Sequence, residues 1–159
     1  MNIITEQDIE DLIDLYDKNE DLFPRHRQMI IDDQPAVSAL LTQEDLDLLT
    51  DDEYDLLWFI TTIVFQAFTI KNDTGKVIQP ELLEKIEEKN WDIFNGLSAS
   101  SFVEKLDHFF EKCPQEDLLD FIEISLDSDE DMEISQGARE VIFVSVFSIL
   151  EALMQTVKD

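Results

Sequence analysis

The stretch Leu56-Leu57-Trp58-Phe59-Ile60-Thr61-Thr62-Ile63-Val64-Phe65-Gln66-Ala67-Phe68-Thr69-Ile70 decides the fold. It carries no charge, and its apolar side chains fall on nearly every face of a helix. A helix that is apolar all round is either buried in a core or spans a membrane. A span needs roughly 20 apolar residues. This run is shorter, contains Thr61, Thr62, Gln66 and Thr69, and follows Asp51, Asp52, Glu53 and Asp55. It reads as a core helix, about 51–70, with Thr50 as its N-cap and three acids in the first turn where the helix dipole favours them. Residues 141–157 form a second such stretch. Val141, Ile142, Phe143, Val144, Val146 and Phe147 would also suit a strand. The length of the run and its ending, Leu150-Glu151-Ala152-Leu153-Met154, favour a helix over about 135–157, opened by Ser135.

Outward from these two helices the chain reads as helical throughout. Thr5 caps a helix with Ile9, Leu12, Ile13, Leu15 and Tyr16 on one side. Asn19 to Asp21 end it, Pro24 opens the next, and Pro35 opens a short segment over 36–41. Thr42 with Asp45 caps a piece over 43–49. Asn72-Asp73-Thr74-Gly75 is a turn, and Val77 and Ile78 lie extended before Pro80 and a helix over 81–89. Helices over 102–112 and 115–126 follow Asn95-Gly96 and Pro114, and an acidic loop over 127–133 leads to the last helix. The expectation is all-α: one domain over 1–159, a bundle of about six to eight helices with two long central ones. Gln43-Glu44-Asp45-Leu46 recurs as Gln115-Glu116-Asp117-Leu118, each ahead of a long apolar helix, a weak sign of duplication between 1–79 and 80–159.

The charge is distributed with equal consistency. The net charge is −27; residues 1–55 carry 17 acids against 3 bases and residues 113–140 carry 10 against 1, while the core stretches are nearly uncharged. Apolar residues make up 44% of the chain, enough to exclude a disordered acidic tail. A surface this negative repels nucleic acid and anionic lipid, and favours basic protein partners and divalent cations. Cys113 is the single cysteine, so no internal disulfide forms; with no signal-peptide pattern at the N-terminus, a cytoplasmic protein is expected.

Several clusters carry residue types that chemistry could use. The loop 127–133 alternates carboxylates like a calcium loop, which needs Gly at position 6 and an acid at position 12. Counted from Asp127 those positions are Met132 and Ala138, and from Asp129 they are Ile134 and Glu140, so the expectation is a solvated loop. Gly75-Lys76 lacks the upstream glycine of a phosphate-binding loop. Asp107-His108 reads as a surface acid beside a half-buried imidazole, and Cys113 as a structural thiol with no base nearby. Arg25-His26-Arg27 is expected to pair with Asp21, Asp32 or Asp33; an anion or an acidic patch on a second copy are its other potential partners.

Glu81-x-x-Glu84 and Glu104-x-x-Asp107 each place two carboxylates on one helical face. This spacing, over about 27 residues and no further, is similar to the metal motif of the all-α nucleotide pyrophosphatases of the MazG type. The resemblance implies a Mg²⁺ site at Glu81, Glu84, Glu104 and Asp107; Lys85, Lys89, Lys105 and Lys112 lie in the same segment and could meet phosphates. The residues alone read as a solvated face with Glu81 and Lys85 paired. The leading expectation is a non-catalytic interaction module without a cofactor, docking to a basic partner as an inhibitor, immunity protein or nucleic-acid mimic. The Mg²⁺-dependent enzyme is the alternative. The apolar surplus of the core helices also allows a homodimer.

Overall fold

The computed structural model describes residues 1–75, 77–97, 100–127 and 133–157, the side chain of Asp45 excepted. Among these residues the chain forms eight α-helices and one 3-10 turn, with no strand. The helices are α1 Glu6–Lys18, α2 Leu22–Asp33, α3 Pro35–Leu40, α4 Asp51–Lys71, α5 Pro80–Gly96, α6 Phe102–Phe110, α7 Glu116–Ser125 and α8 Gln136–Thr156; the 3-10 turn is Glu44–Leu48. They pack as one helical bundle around α4 and α8, as the apolar runs predict. No described helix is long and apolar enough to cross a membrane.

Local chemistry sets the starts of the two central helices. Thr50 and Glu53 form a reciprocal capping box at α4, and Ser135 caps α8 by accepting from the Ala138 N–H. One side chain then joins the two ends. Glu53 is only 3% exposed; one carboxylate oxygen accepts from the Thr50 N–H at 2.9 Å and the other from the Ser135 N–H at 3.0 Å. Burial by itself would raise its pKa, but the backbone N–H groups of Thr50 and Ser135 prevail and hold it below the usual glutamate value.

Where α5 and α6 meet α8 the core is aromatic. Phe143 and Phe147, one turn apart on α8, stack at 5.6 Å, and Phe109 of α6 packs edge-on to both at 5.2 and 5.1 Å. Phe94 joins from α5 at 6.0 Å from Phe143. Such pairs add to simple area burial when offset or edge-on. Thr61 and Thr62, fully buried on α4, have hydroxyls without a hydrogen-bond partner among the described residues.

Four expectations are corrected. Helix α2 begins at Leu22, two residues ahead of Pro24, because a proline in the first turn sacrifices no intrahelical N–H bond. Thr42 caps nothing: its hydroxyl donates back to the Ser38 carbonyl at 2.9 Å. The partner proposed for it, the Asp45 side chain, lies outside the described residues. Helix α5 runs past residue 89 to Gly96, since the buried Asn90 and Phe94 carry it along α8. Arg25 and Arg27 form no ion pair among the described residues; the Arg27 guanidinium instead lies 6.0 Å from the Phe23 ring, and Asp32 accepts from Gln28.

Candidate functional site

An extended strap holds the most acidic helix in place. Asn72, after α4, accepts from the Asn2 N–H at 2.6 Å and donates to the Asn2 carbonyl at 3.1 Å. Gln115, fully buried ahead of α7, accepts from the Ile4 N–H at 2.9 Å and donates to the Asn2 carbonyl at 3.0 Å. Asp117 then accepts from the Glu6 N–H at 2.9 Å. These bonds satisfy backbone groups of Asn2, Ile4 and Glu6, of which Ile4 is fully buried. They set α1 against α4 on one side and α7 on the other.

Helix α1 presents Glu6, Glu10, Asp11, Asp14 and Asp17 to solvent. Its capping box pairs Thr5 with Asp8. The Asp8 carboxyl is held below its usual pKa, first by Lys71 at 2.6 Å and then by the Thr5 N–H. On the α7 side lies a groove of about 150 Å³. Ile9, Ile13, Phe121 and Ile124 line it between the carboxylates of Glu6, Glu10, Asp117 and Asp120. Ile124 is 62% exposed, a large apolar side chain ringed by acids. On the α4 side a second groove of about 210 Å³ contains Leu15 and Ile70, also exposed. At the far end of α7, burial raises the pKa of Glu123, and repulsion from Asp120, Asp127 and Asp107 adds to the rise.

The four carboxylates of the pyrophosphatase-like spacing are all exposed, on α5 and α6. Among the described residues no group of three or more His, Cys, Asp and Glu side chains is gathered to hold a metal, so Glu81, Glu84, Glu104 and Asp107 do not converge. Glu104 instead accepts from the hydroxyl of Ser101, the cap of α6. Two of the four lysines are engaged elsewhere. Lys105 is buried, 4.5 Å over the Phe94 ring and 3.3 Å from Glu140, and Lys89 pairs with Glu151 at 2.8 Å. Most of the loop over 127–133 and Lys76 lie outside the described residues. Asp107 is exposed and His108 half-buried, as expected. Cys113 is buried, and that burial pushes its thiol above the ordinary pKa, with Glu151 and Glu116 adding to the effect. A thiol so disposed is a poor nucleophile.

Tyr16 and His26 form a half-buried pair at 2.7 Å. Burial pushes the Tyr16 pKa well up; burial, then the Arg25 charge, lowers that of His26. Both shifts favour a neutral imidazole accepting from the phenol, a structural contact between α1 and α2.

Compared with protein-family models, curated proteins and solved structures, the chain matches none.

Proposed function

We propose that this protein is a non-catalytic interaction module that docks to a basic protein surface through α1 and α7, as an inhibitor, immunity protein or nucleic-acid mimic does. The observation that carries this reading is the α1–α7 groove, with its apolar floor and acidic walls. Carboxylates alone would serve solubility, but an exposed Ile124 and a half-buried Phe121 between them provide a place for an apolar side chain flanked by Lys or Arg. The long-range field of a −27 chain speeds the encounter with such a partner, and the apolar floor then holds it.

Two synthetic peptides of equal positive charge test this, one alternating Lys with Leu and one pairing Lys with Ser. In an NMR titration the Lys/Leu peptide is expected to bind more tightly, to shift Ile9, Ile13, Phe121 and Ile124 first, and to weaken with salt. The Ile124→Ser variant is expected to bind both peptides equally. Shifts spread evenly over all acidic helices, or indifference to Ile124→Ser, would refute the groove as the docking site.

A further inference from the structure

A third hollow, a recess of about 170 Å³, lies where α5, the end of α6 and α8 meet. Its walls are apolar, formed by Ile93, Phe109, Phe147 and Met154. An apolar cavity of about 150 Å³ accommodates benzene, so this one suits a single substituted ring. Two features set it apart from a packing defect.

The first is Asn90. It is 1% exposed and lines the recess. Its amide nitrogen donates to the Ser148 hydroxyl at 3.0 Å, while its carbonyl oxygen has no partner among the described residues. An unmatched buried acceptor is unfavourable, and a ligand donor would offset that cost. The second feature is the sign of the rim. In a chain with 38 acids and 11 bases, the recess is bordered by Lys89, Lys112 and His108 against the single carboxylate of Glu151. Lys89 already takes Glu151 at 2.8 Å. Lys112 is exposed and has no carboxylate within ion-pair distance among the described residues.

We propose that this recess binds a small carboxylic acid whose apolar ring carries a hydrogen-bond donor, the ring against the wall formed by Phe109, Phe147 and Met154, the donor on Asn90 and the carboxylate at Lys112. A hydrocarbon would leave Asn90 unmatched. A cation would meet the lysines, and inorganic phosphate would waste the apolar walls. The site is separate from the α1–α7 groove and does not depend on the docking role proposed for it.

The probes are 4-hydroxybenzoate, benzoate and phenol, titrated by NMR against the full chain. Because Cys113 is the only cysteine and lines the recess, its labelling by methyl methanethiosulfonate gives a second readout. The expected result is that 4-hydroxybenzoate binds about fivefold more tightly than benzoate, the ratio one hydrogen bond supports, and slows Cys113 labelling. Asn90→Leu should remove that preference. Lys112→Gln, at an exposed position, should weaken both acids and leave phenol unchanged, so it decides the matter even if Asn90→Leu perturbs folding. The proposal is overturned if no probe binds or protects Cys113, if the hydroxyl preference survives Asn90→Leu, or if Lys112→Gln leaves the acids unaffected.

Discussion

Gln115 and Asn90 bring the same amide group into the interior and use it differently. Gln115 is bonded at both ends, accepting from Ile4 and donating to Asn2. Asn90 is bonded at its nitrogen, and its oxygen, beside a recess, has no partner among the described residues. A saturated buried amide is a staple, whose removal orphans the groups it serves. A half-saturated one has spare capacity, and its own removal relieves as much as it costs. The difference separates a structural contact, where the strap meets Asn72 and Gln115, from the recess proposed as a ligand site.

Replacing each amide with leucine breaks or sharpens that contrast. Gln115→Leu is expected to cost about 2 kcal/mol, because the Ile4 N–H loses its acceptor in a buried setting. It should show as a lower urea midpoint at unchanged slope, with faster amide exchange at Ile4 and Ile9. Asn90→Leu is expected to leave the midpoint nearly where it is. Equal losses from the two changes would mean that the open oxygen of Asn90 has no significance.

The same contrast holds for two carboxylates. Glu53 is saturated by Thr50 and Ser135, and its folded pKa lies below the unfolded value; Glu123 is crowded by burial and by Asp120, Asp127 and Asp107, and its folded pKa lies above. The signs are therefore opposite. The stability that Glu53 contributes is full above its unfolded pKa of about 4.3 and is lost as pH falls through the lower folded value. Any contribution from Glu123 is present below about 4.3 and lost as pH rises through its raised folded value, so at neutral pH its charge opposes folding. Glu53→Ala is expected to cost about 2 kcal/mol at neutral pH and progressively less in acid. Glu123→Gln is expected to raise the melting temperature slightly at neutral pH and to do nothing at pH 3 or so. A pH-independent loss at Glu53 would contradict the charge-assisted bridge.

The smallest effect concerns Thr62, whose buried hydroxyl in the middle of α4 has no partner among the described residues. Thr62→Val keeps the shape and removes an unmatched polar atom, so a gain of about 1 kcal/mol is expected in denaturant melts. A loss instead would show that the hydroxyl is bonded in solution.

Much of the fold could be read before the structure, for a physical reason. Helix periodicity, N-caps and first-turn acids are local, acting over three or four residues, so Thr5, Thr50 and Ser135 mark helix starts in the sequence itself. Two boundaries differ from the local signals: a first-turn proline costs no N–H bond, so α2 starts ahead of Pro24, and contacts of Asn90 and Phe94 with α8 carry α5 past residue 89. Part of the α1–α7 groove was also legible, since Ile9 and Ile13 lie one turn apart on an acidic helix. Their counterparts Phe121 and Ile124, more than a hundred residues away, were not.

The sequence by itself determined that this chain is a helical bundle with two buried central helices and a negative surface, because burial pattern and charge are properties of each helix taken alone. Only the tertiary structure decided which groups meet. It brought Glu53 to Ser135 across 82 positions and Gln115 to Ile4 across 111, left Glu81, Glu84, Glu104 and Asp107 dispersed, and gathered Asn90 with Lys112 at one recess. Spacing along one helix specifies a face. Convergence between helices depends on how those faces pack, and 38 acids in 159 residues offer many spacings of which packing realises few.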